Sequence, residues 1–382
     1  MEGIVMKRST DRILTTHTGS LPRPDGLVAM LYAKDSGELQ DQTAFEAQVR
    51  TAVAEVVRKQ IERGVDIVND GEAGKVGYST YIKDRLTGFE GEASPLVAAD
   101  LLEFPEYARR VFRANTMKRP ACTGPITYKD KAALQTDIEN FKAALQGVEP
   151  EEAFLSAASP GVISLFLKNE YYPNHDAYLA ALADAMKEEY NAIYQAGFLL
   201  QVDCPDLAMG RHIQFADVSL EEFRKKAELH VEALNHALAD IPPERMRLHL
   251  CWGNYEGPHH RDVPLRDIID IVLKARPAAI SFEAANPRHA HEWKVFQEFT
   301  LPPGKVLIPG VLDSTTNYIE HPELVAERIC RFAEVVGREN VIAGTDCGFS
   351  TFAGLTTVDP QVSWAKLQAM AEGARLASQL LW

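Results

Sequence analysis

No apolar run in this 382-residue chain approaches the roughly 20 residues needed to cross a bilayer, which argues against a membrane-spanning helix. Positive charge is also scarce. Lys and Arg number 40 against 54 Asp and Glu, a formal net charge of -14. Such a surface repels nucleic-acid phosphates and anionic lipid, so neither nucleic acid nor membrane is an expected partner. Cysteines are few and odd in number: Cys122, Cys204, Cys251, Cys330 and Cys347. The segment Met1 to Arg12 lacks the apolar stretch and small-residue cleavage site of a signal peptide. Together these features do not read as a disulfide framework, and a cytoplasmic protein with reduced thiols is expected. No G-x-G-x-x-G turn follows the first predicted strand, which weakens a dinucleotide-binding reading. No repeat, low-complexity tract or linker divides the chain. One domain over residues 1–382 is expected, with residues 1–12 a flexible N-terminal segment.

What the chain does contain is alternation. Short β-branched runs predict eight strands: Ile13–Thr18, Val65–Asn69, Pro120–Gly124, Leu199–Asp203, Arg247–Cys251, Ala279–Glu283, Leu307–Val311 and Val341–Gly344. Between them lie amphipathic helices. Thr43–Arg63 carries Phe45, Val49, Val53, Val56 and Gln60 at helical spacing. Leu220–Ala239 is entered through Ser219 with Glu222 three residues on, a capping box, and Pro322–Val336 opens on a first-turn proline. Eight such units fit a closed (β/α)₈ TIM barrel with elaborated βα loops better than an open doubly wound sheet. Val162–Phe166 is a further candidate strand within a long excursion, Thr127 to Tyr190. The acidic segment Thr87 to Pro105 reads as a surface loop.

Catalytic residues of such barrels gather where strands end. The predicted strand ends here are polar: Thr16 to Ser20, Asn69 to Glu72, Thr123-Gly124-Pro125, Gln201 to Cys204, His249-Leu250-Cys251, Glu283, Asp313 and Thr345-Asp346-Cys347. His249 and Cys251 stand two apart on a strand, so their side chains leave the same face. Glu283 ends the next strand and Cys347 follows the last. One nitrogen, two sulfurs and a carboxylate oxygen make a tetrahedral Zn²⁺ set; the alternative is inert buried cysteines and a core histidine. Two thiolates and a carboxylate make the metal a poor generator of hydroxide. They leave it able to hold an incoming thiol ionised, since the thiolate is the nucleophile. That chemistry points to alkyl transfer onto sulfur rather than hydrolysis.

On these residues the sequence resembles the catalytic C-terminal barrel of the cobalamin-independent methionine synthase family. The likeness runs from Thr15 to about Phe349. It includes Thr16-His17-Thr18-Gly19-Ser20-Leu21-Pro22, Asp70-Gly71-Glu72, Thr123-Gly124-Pro125, Leu200-Gln201-Val202-Asp203, His249-x-Cys251, Glu283, Gly310-Val311-Leu312-Asp313 and Thr345-Asp346-Cys347-Gly348. The resemblance implies zinc on His249, Cys251, Glu283 and Cys347. It also implies a thiol pocket lined by Ser20, Glu72 and Asp203, the two acids meeting the ammonium of homocysteine. His17 and Asp313 join these as substrate-binding candidates. The chain departs from the family in three ways. It has no second, N-terminal barrel, Asp203-Cys204-Pro205 stands where Asp-Glu-Pro is expected, and Ser314-Thr315 replaces a proton-donating histidine. Folate as methyl donor is therefore not expected. Similar single-barrel proteins include ones that take a methyl group from a corrinoid protein and epoxyalkane:coenzyme M transferases.

Two versions of thiol alkylation make opposite demands. Homocysteine needs acids, which Glu72 and Asp203 offer. Coenzyme M needs cations, for which Lys75, Arg211, Arg261 and Arg288 are candidates. Opening an epoxide also requires an acid, and His212, His259, His260 and Tyr255 lie just beyond strand ends. The charged residues could instead be solvated loop groups, and His259-His260 could pair with Asp262. Phe282, Trp252 and Phe349 are candidates to wall an apolar pocket or to fill the core. A metal-dependent hydrolase or lyase, with Asp346 or Asp313 as base, is the reading from a different class.

Overall fold

The structure is a computed structural model and describes residues 6–94, 96–111, 119–355 and 357–382. Its nine strands are β1 Ile67–Asn69, β2 Phe89–Glu90, β3 Ala121–Cys122, β4 Glu152–Ala158, β5 Leu199–Asp203, β6 Met246–Leu250, β7 Ala279–Phe282, β8 Val306–Leu312 and β9 Gly344–Thr345. Seven of them form one curled parallel sheet in the order β1-β4-β5-β6-β7-β8-β9. The expected first strand, Ile13–Thr18, is reduced to a single bridge from Thr15 to Ala343. Its backbone nonetheless bonds to both ends of the sheet. Thr16 N–H donates to Ala343 at 2.8 Å, and Ile67 N–H donates to Thr15 at 3.0 Å.

Two strand assignments need correction. Pro120–Gly124 supplies no member of the parallel sheet; β3 pairs antiparallel with β2 in a separate two-stranded ribbon. Its place is taken by β4, which lies inside the expected excursion and pairs with both β1 and β5. Its Ala- and Ser-rich sequence carries little strand preference. Val162–Phe166 belongs to a helix, Pro160–Phe166. Ser159 caps that helix by accepting from Val162 N–H, and Pro160 sits in its first turn. Every residue of it is buried, so its apolar run has no periodicity to read. The helices Gln42–Glu62, Leu220–Ala237 and Pro322–Val336 stand where expected, and the Ser219–Glu222 capping box forms.

Both faces of the sheet are buried, as a parallel sheet covered by helices requires. Outward residues such as Val68, Leu200, Leu248 and Leu307 join the large core under the helices. Inward residues Ile67, Phe154, Leu199, Ala279, Val306 and Ile308 form a second cluster with Met6, Leu14 and Ile342. The inward rows change character toward the strand ends: Leu199, Gln201, Asp203 on β5; Arg247, His249, Cys251 on β6; Ala279, Ser281, Glu283 on β7. Each row is apolar or stem-like at its base and bears ligand-type groups at its top. Arg247, fully buried, bonds Thr16 Oγ1 at 2.9 Å and His17 O at 2.8 Å. Its guanidinium lies 4.1 Å from the Phe154 ring. In the N-terminal segment Met6 and Ser9 are buried, while Lys7, Thr10 and Asp11 are exposed. Ser9 Oγ donates to Val341 O, and Arg12 forks onto Asp66. Among the described residues no helix is long and apolar enough to cross a membrane.

Phe154 therefore supports the layer on which the polar rows stand. Phe154→Ala is expected to cost about 3–5 kcal/mol, because a large ring leaves a gap its β-sheet neighbours cannot collapse into. Urea unfolding of the purified variant measures it.

Candidate functional site

The strand tops bring three metal-ligand side chains together. Cys347 Sγ lies 3.5 Å from Cys251 Sγ and 3.5 Å from His249 Nε2. One ligand atom from each of the three falls within 4.8 Å of the others, and all three residues are buried. Glu283, one strand over, is buried beside them. Its Oε1 accepts from Trp252 N–H at 2.7 Å and its Oε2 from Asn286 Nδ2 at 2.8 Å. Both bonds hold the carboxylate in place while leaving lone pairs free. Cys347 is fixed through its neighbour Asp346, whose carboxylate accepts from Ala284, Ala285 and Asn286 N–H at 2.8 Å each.

The donor set has the chemistry of a cation site. Burial pulls the His249 imidazole down to a pKa of about 3, so the ring is neutral with a lone pair to offer. The Cys251 thiol is pushed well above its ordinary value, first by its hydrogen bond with Cys347 and then by burial. Glu283 is raised by burial and then by the nearby Cys251 charge. These buried groups do not ionise together readily unless a positive charge joins them, which a divalent metal ion would supply. The cluster could hold a metal; two sulfurs and an imidazole nitrogen suit a soft or borderline one.

A cavity of about 1150 Å³ opens over this cluster. Its floor is lined by Thr18, Ser20, Glu72, Asp203, His249, Cys251 and Cys347. Glu72 adopts a left-handed backbone with φ 54°, and its Oε2 is buried without a hydrogen-bond partner. Burial raises its pKa, while Lys75 and Arg23 work the other way. Asp203 is raised further by burial and by Glu72, although Gln201 Nε2 donates to it at 2.8 Å. Gly19 makes this crowding possible. A Cβ there would lie 2.7 Å from Ser156 Oγ and 2.8 Å from Glu72 Oε1.

Other expected site residues stand back from the cavity. His17 Nε2 bonds Gln60 Oε1 at 2.7 Å and its Nδ1 accepts from Gly19 N–H, so the ring braces the floor from behind. Asp313 is taken up by Thr315 and Thr316. His212, His259 and His260 do not line the cavity either. His212 Nδ1 lies 3.3 Å from Asp262 Oδ1, and Asp262 Oδ2 receives His259 at 2.9 Å and His289 at 3.0 Å. The exposed His260 pairs with Glu103 at 3.0 Å. The cations considered for a sulfonate are also committed elsewhere: Lys75 to Ser156 O, Arg211 to Phe215 O, Arg261 to Glu103 and Arg288 to His260 O. Phe349 lines the cavity; Trp252 and Phe282 are core.

Sequence reasoning missed Tyr78, Arg119 and Asn254 on the cavity wall, and His289 behind it. His289 had a faint signal in its i,i+3 partner Glu292. Burial works against its protonation, yet Asp262 and Glu292 carry its pKa to about 10. Tyr78 and Arg119 come from loops and carried no pattern. The segment Thr87 to Pro105, expected to be a plain surface loop, supplies Leu96, Val97, Ala98 and Leu101 to the wall.

Residues 166–375 match the family model described as "Cobalamin-independent synthase, Catalytic domain". A methionine synthase of Thermococcus kodakarensis is 25% identical over 368 residues, 96% of this chain and 94% of that protein. One from Saccharolobus solfataricus is 24% identical over 370 residues, 96% of this chain and 95% of that protein. Among solved structures, a B12-independent methionine synthase from Shewanella sp. W3-18-1, in complex with selenomethionine, aligns with a TM-score of 0.74. It is 20% identical, with 97% of this chain and 99% of that chain covered. A vitamin-B12 independent methionine synthase from Listeria monocytogenes, so described as a putative one, aligns at 0.65, with 19% identity and 100% and 99% coverage.

The brace under the floor sets a pH limit. Burial lowers the His17 pKa from 6.5 to about 4, and protonation would also remove the acceptor that Gly19 N–H uses. The stabilisation is therefore complete above pH 6.5 and is lost as pH falls toward 4, a loss of roughly 3 kcal/mol. Urea midpoints measured across that interval should show this slope, and His17→Gln should reduce it by the share of one proton, His175 and His249 keeping theirs.

Proposed function

Since the chain belongs to the family of the cobalamin-independent synthase catalytic domain, we propose that it is a zinc-dependent transferase that methylates or alkylates a substrate thiol. The observation that carries this reading is the His249–Cys251–Cys347 cluster at the floor of a large cavity, beside two buried acids. We take residues 1–382 as one catalytic unit, with Leu14–Thr16 as the eighth stave of its barrel. The free cysteines suit the reducing cytoplasm.

His249, Cys251 and Cys347 would hold the zinc, with Glu283 as a fourth ligand. Bound there, the metal would lower the pKa of an incoming thiol and keep its sulfur nucleophilic. The rest falls to the chain. Glu72 and Asp203 would take the ammonium of an amino-acid thiol, homocysteine in the first instance. Glu72 Oε2 is a buried acceptor awaiting a donor, and a cation between two crowded carboxyls relieves their mutual repulsion. Ser20 would orient the same group, with His17 and Asp313 supporting the loops that carry the pocket. His212 and His259 act on the wall through Ile213 and Tyr255, so a positioning role suits them better than direct proton transfer. The coenzyme M version finds its four proposed cations occupied elsewhere. The hydrolase version finds Asp346 and Asp313 tied to loop donors and away from the cavity. A corrinoid protein as donor gains no support from the site.

Elemental analysis should find one zinc per chain, and zinc-edge X-ray absorption should show an added sulfur neighbour with homocysteine. An unchanged edge with every thiol tested would sink the reading. Cys251→Ser with Cys347→Ser should abolish metal retention while the barrel still folds. Glu72→Gln should raise KM for homocysteine by about tenfold or more with a smaller effect on kcat, because it removes a charged contact made with bound substrate. A variant with unchanged KM would remove Glu72 from the ammonium site.

A further inference from the structure

The cavity continues beyond the cluster. Away from the cluster its wall is formed by Leu101, Met209 and Phe349 and by three rings, Tyr78, Phe166 and Phe352. The ring centroids lie 5.5 to 6.1 Å apart in edge-on or tilted pairs, so they form a continuous apolar wall. Several polar groups of this wall are already engaged. Asn254 donates to Gly348 O and accepts from Ser314, Tyr255 donates to Asp100, and the exposed Arg109 pairs with Glu106. Two others are not. Arg119 places its guanidinium 5.6 Å from the Phe166 centroid, and its Nε is buried without a hydrogen-bond partner. The Tyr78 hydroxyl has no partner among the described residues. A buried N–H without a partner is costly, and an anion held by Nε and a terminal nitrogen in a two-pronged hydrogen bond would satisfy it.

The wall also disfavours a second anion. Glu92 and Glu256, both exposed, line the same cavity and would oppose further negative groups. Arg119 is thus the one unengaged cation among the described wall residues. The rings beside it are apolar, so the part of a ligand that lies against them is matched best by an apolar body.

We propose that this chamber is the donor subsite, and that it selects a methyl or alkyl donor with a ring-sized apolar body and a single anionic group. The body would lie against Tyr78, Phe166 and Phe352, the anion on Arg119. The Tyr78 hydroxyl is left to donate a hydrogen bond to the part of the donor nearest the cluster. The assignment of this ligand as donor rests on the thiol-transfer reading; the chamber's selectivity does not.

Two dyes with the same ring system test it on the purified metal-loaded protein. 8-Anilinonaphthalene-1-sulfonate carries one anion, and N-phenyl-1-naphthylamine carries none. Fluorescence titration is expected to show the sulfonate binding at least tenfold more tightly. Arg119→Gln should erase that difference, weakening the sulfonate at least tenfold while the neutral dye stays within about threefold, which also reports an intact fold. Arg119→Lys should keep part of the discrimination, and Phe352→Ala should weaken both dyes. Equal binding of the two dyes by the unmodified protein, or sulfonate affinity that survives Arg119→Gln, overturns the proposal. Homocysteine binding at the zinc edge should be unchanged in Arg119→Gln. Its loss there would move Arg119 to the thiol site and overturn the donor assignment while leaving thiol transfer standing. Dye discrimination in a protein that binds no thiol would keep the chamber and remove thiol transfer.

Discussion

Everything at the tops of these parallel strands follows from crowding acidic groups into a largely buried site. Glu72, Asp203, Glu283 and Asp346 are all buried within the same ring of strand ends, beside two thiols. Burial lifts the carboxyl pKa values; neighbouring negative charge lifts Asp203 and Glu283 further, while Lys75 and Arg23 oppose the rise at Glu72. A fold tolerates this only if each group is given hydrogen-bond donors or if positive charge arrives with a ligand. The four acids are not served alike: Glu283 accepts from Trp252 N–H and Asn286 Nδ2, and Asp203 from Gln201 Nε2. Asp346 is satisfied by backbone amides and serves as a strut. Glu72, which lines the cavity, keeps one buried oxygen without a partner, and Glu283 stands beside the sulfurs.

The strand ends also decide what could be read in the sequence. His249-x-Cys251 was legible because a strand's two-residue period puts both side chains on one face, and the run Met246–Leu250 is apolar enough to be recognised. Glu283 and Cys347 were legible for a related reason: each directly follows, or stands two residues past, a strand end whose position the alternation fixed. The strand Glu152–Ala158 was not legible, since its Ala and Ser residues earn their place by packing tightly between neighbours rather than by intrinsic preference. The helix Pro160–Phe166 was hidden because complete burial erases amphipathic contrast, although Ser159-Pro160 was a start signal.

The histidines show the opposite failure. His212 and His259 lie just past strand ends, and sequence position suggested the cavity. Position along the chain does not say which way a loop turns. Here the loops fold back, and Asp262 gathers His212, His259 and His289 into one buried polar knot. Conversely Tyr78 and Arg119 reach the cavity from loops with no periodicity, where contacts between distant segments alone decide the direction of a side chain.

The knot around Asp262 has its own physical logic. His259, held at φ 53°, stacks on Tyr255 with centroids 4.2 Å apart, and its N–H donates to Asp100 Oδ2. Tyr255 donates to the same Asp100, which belongs to the short helix Ala99–Leu102 at the rim. On the other side His289 packs 4.2 Å from Trp252, whose N–H holds Glu283. One hydrogen-bonded and stacked chain thus runs from the rim to the acid beside the sulfurs. Asp262 supplies its negative charge, and the raised pKa of His289 supplies the matching positive one. A buried charge pair of this kind adds little net stability, but it penalises any arrangement that separates its members. The loops between rim and cluster are therefore held in one geometry by electrostatics, where the β-sheet's own hydrogen bonds have already ended.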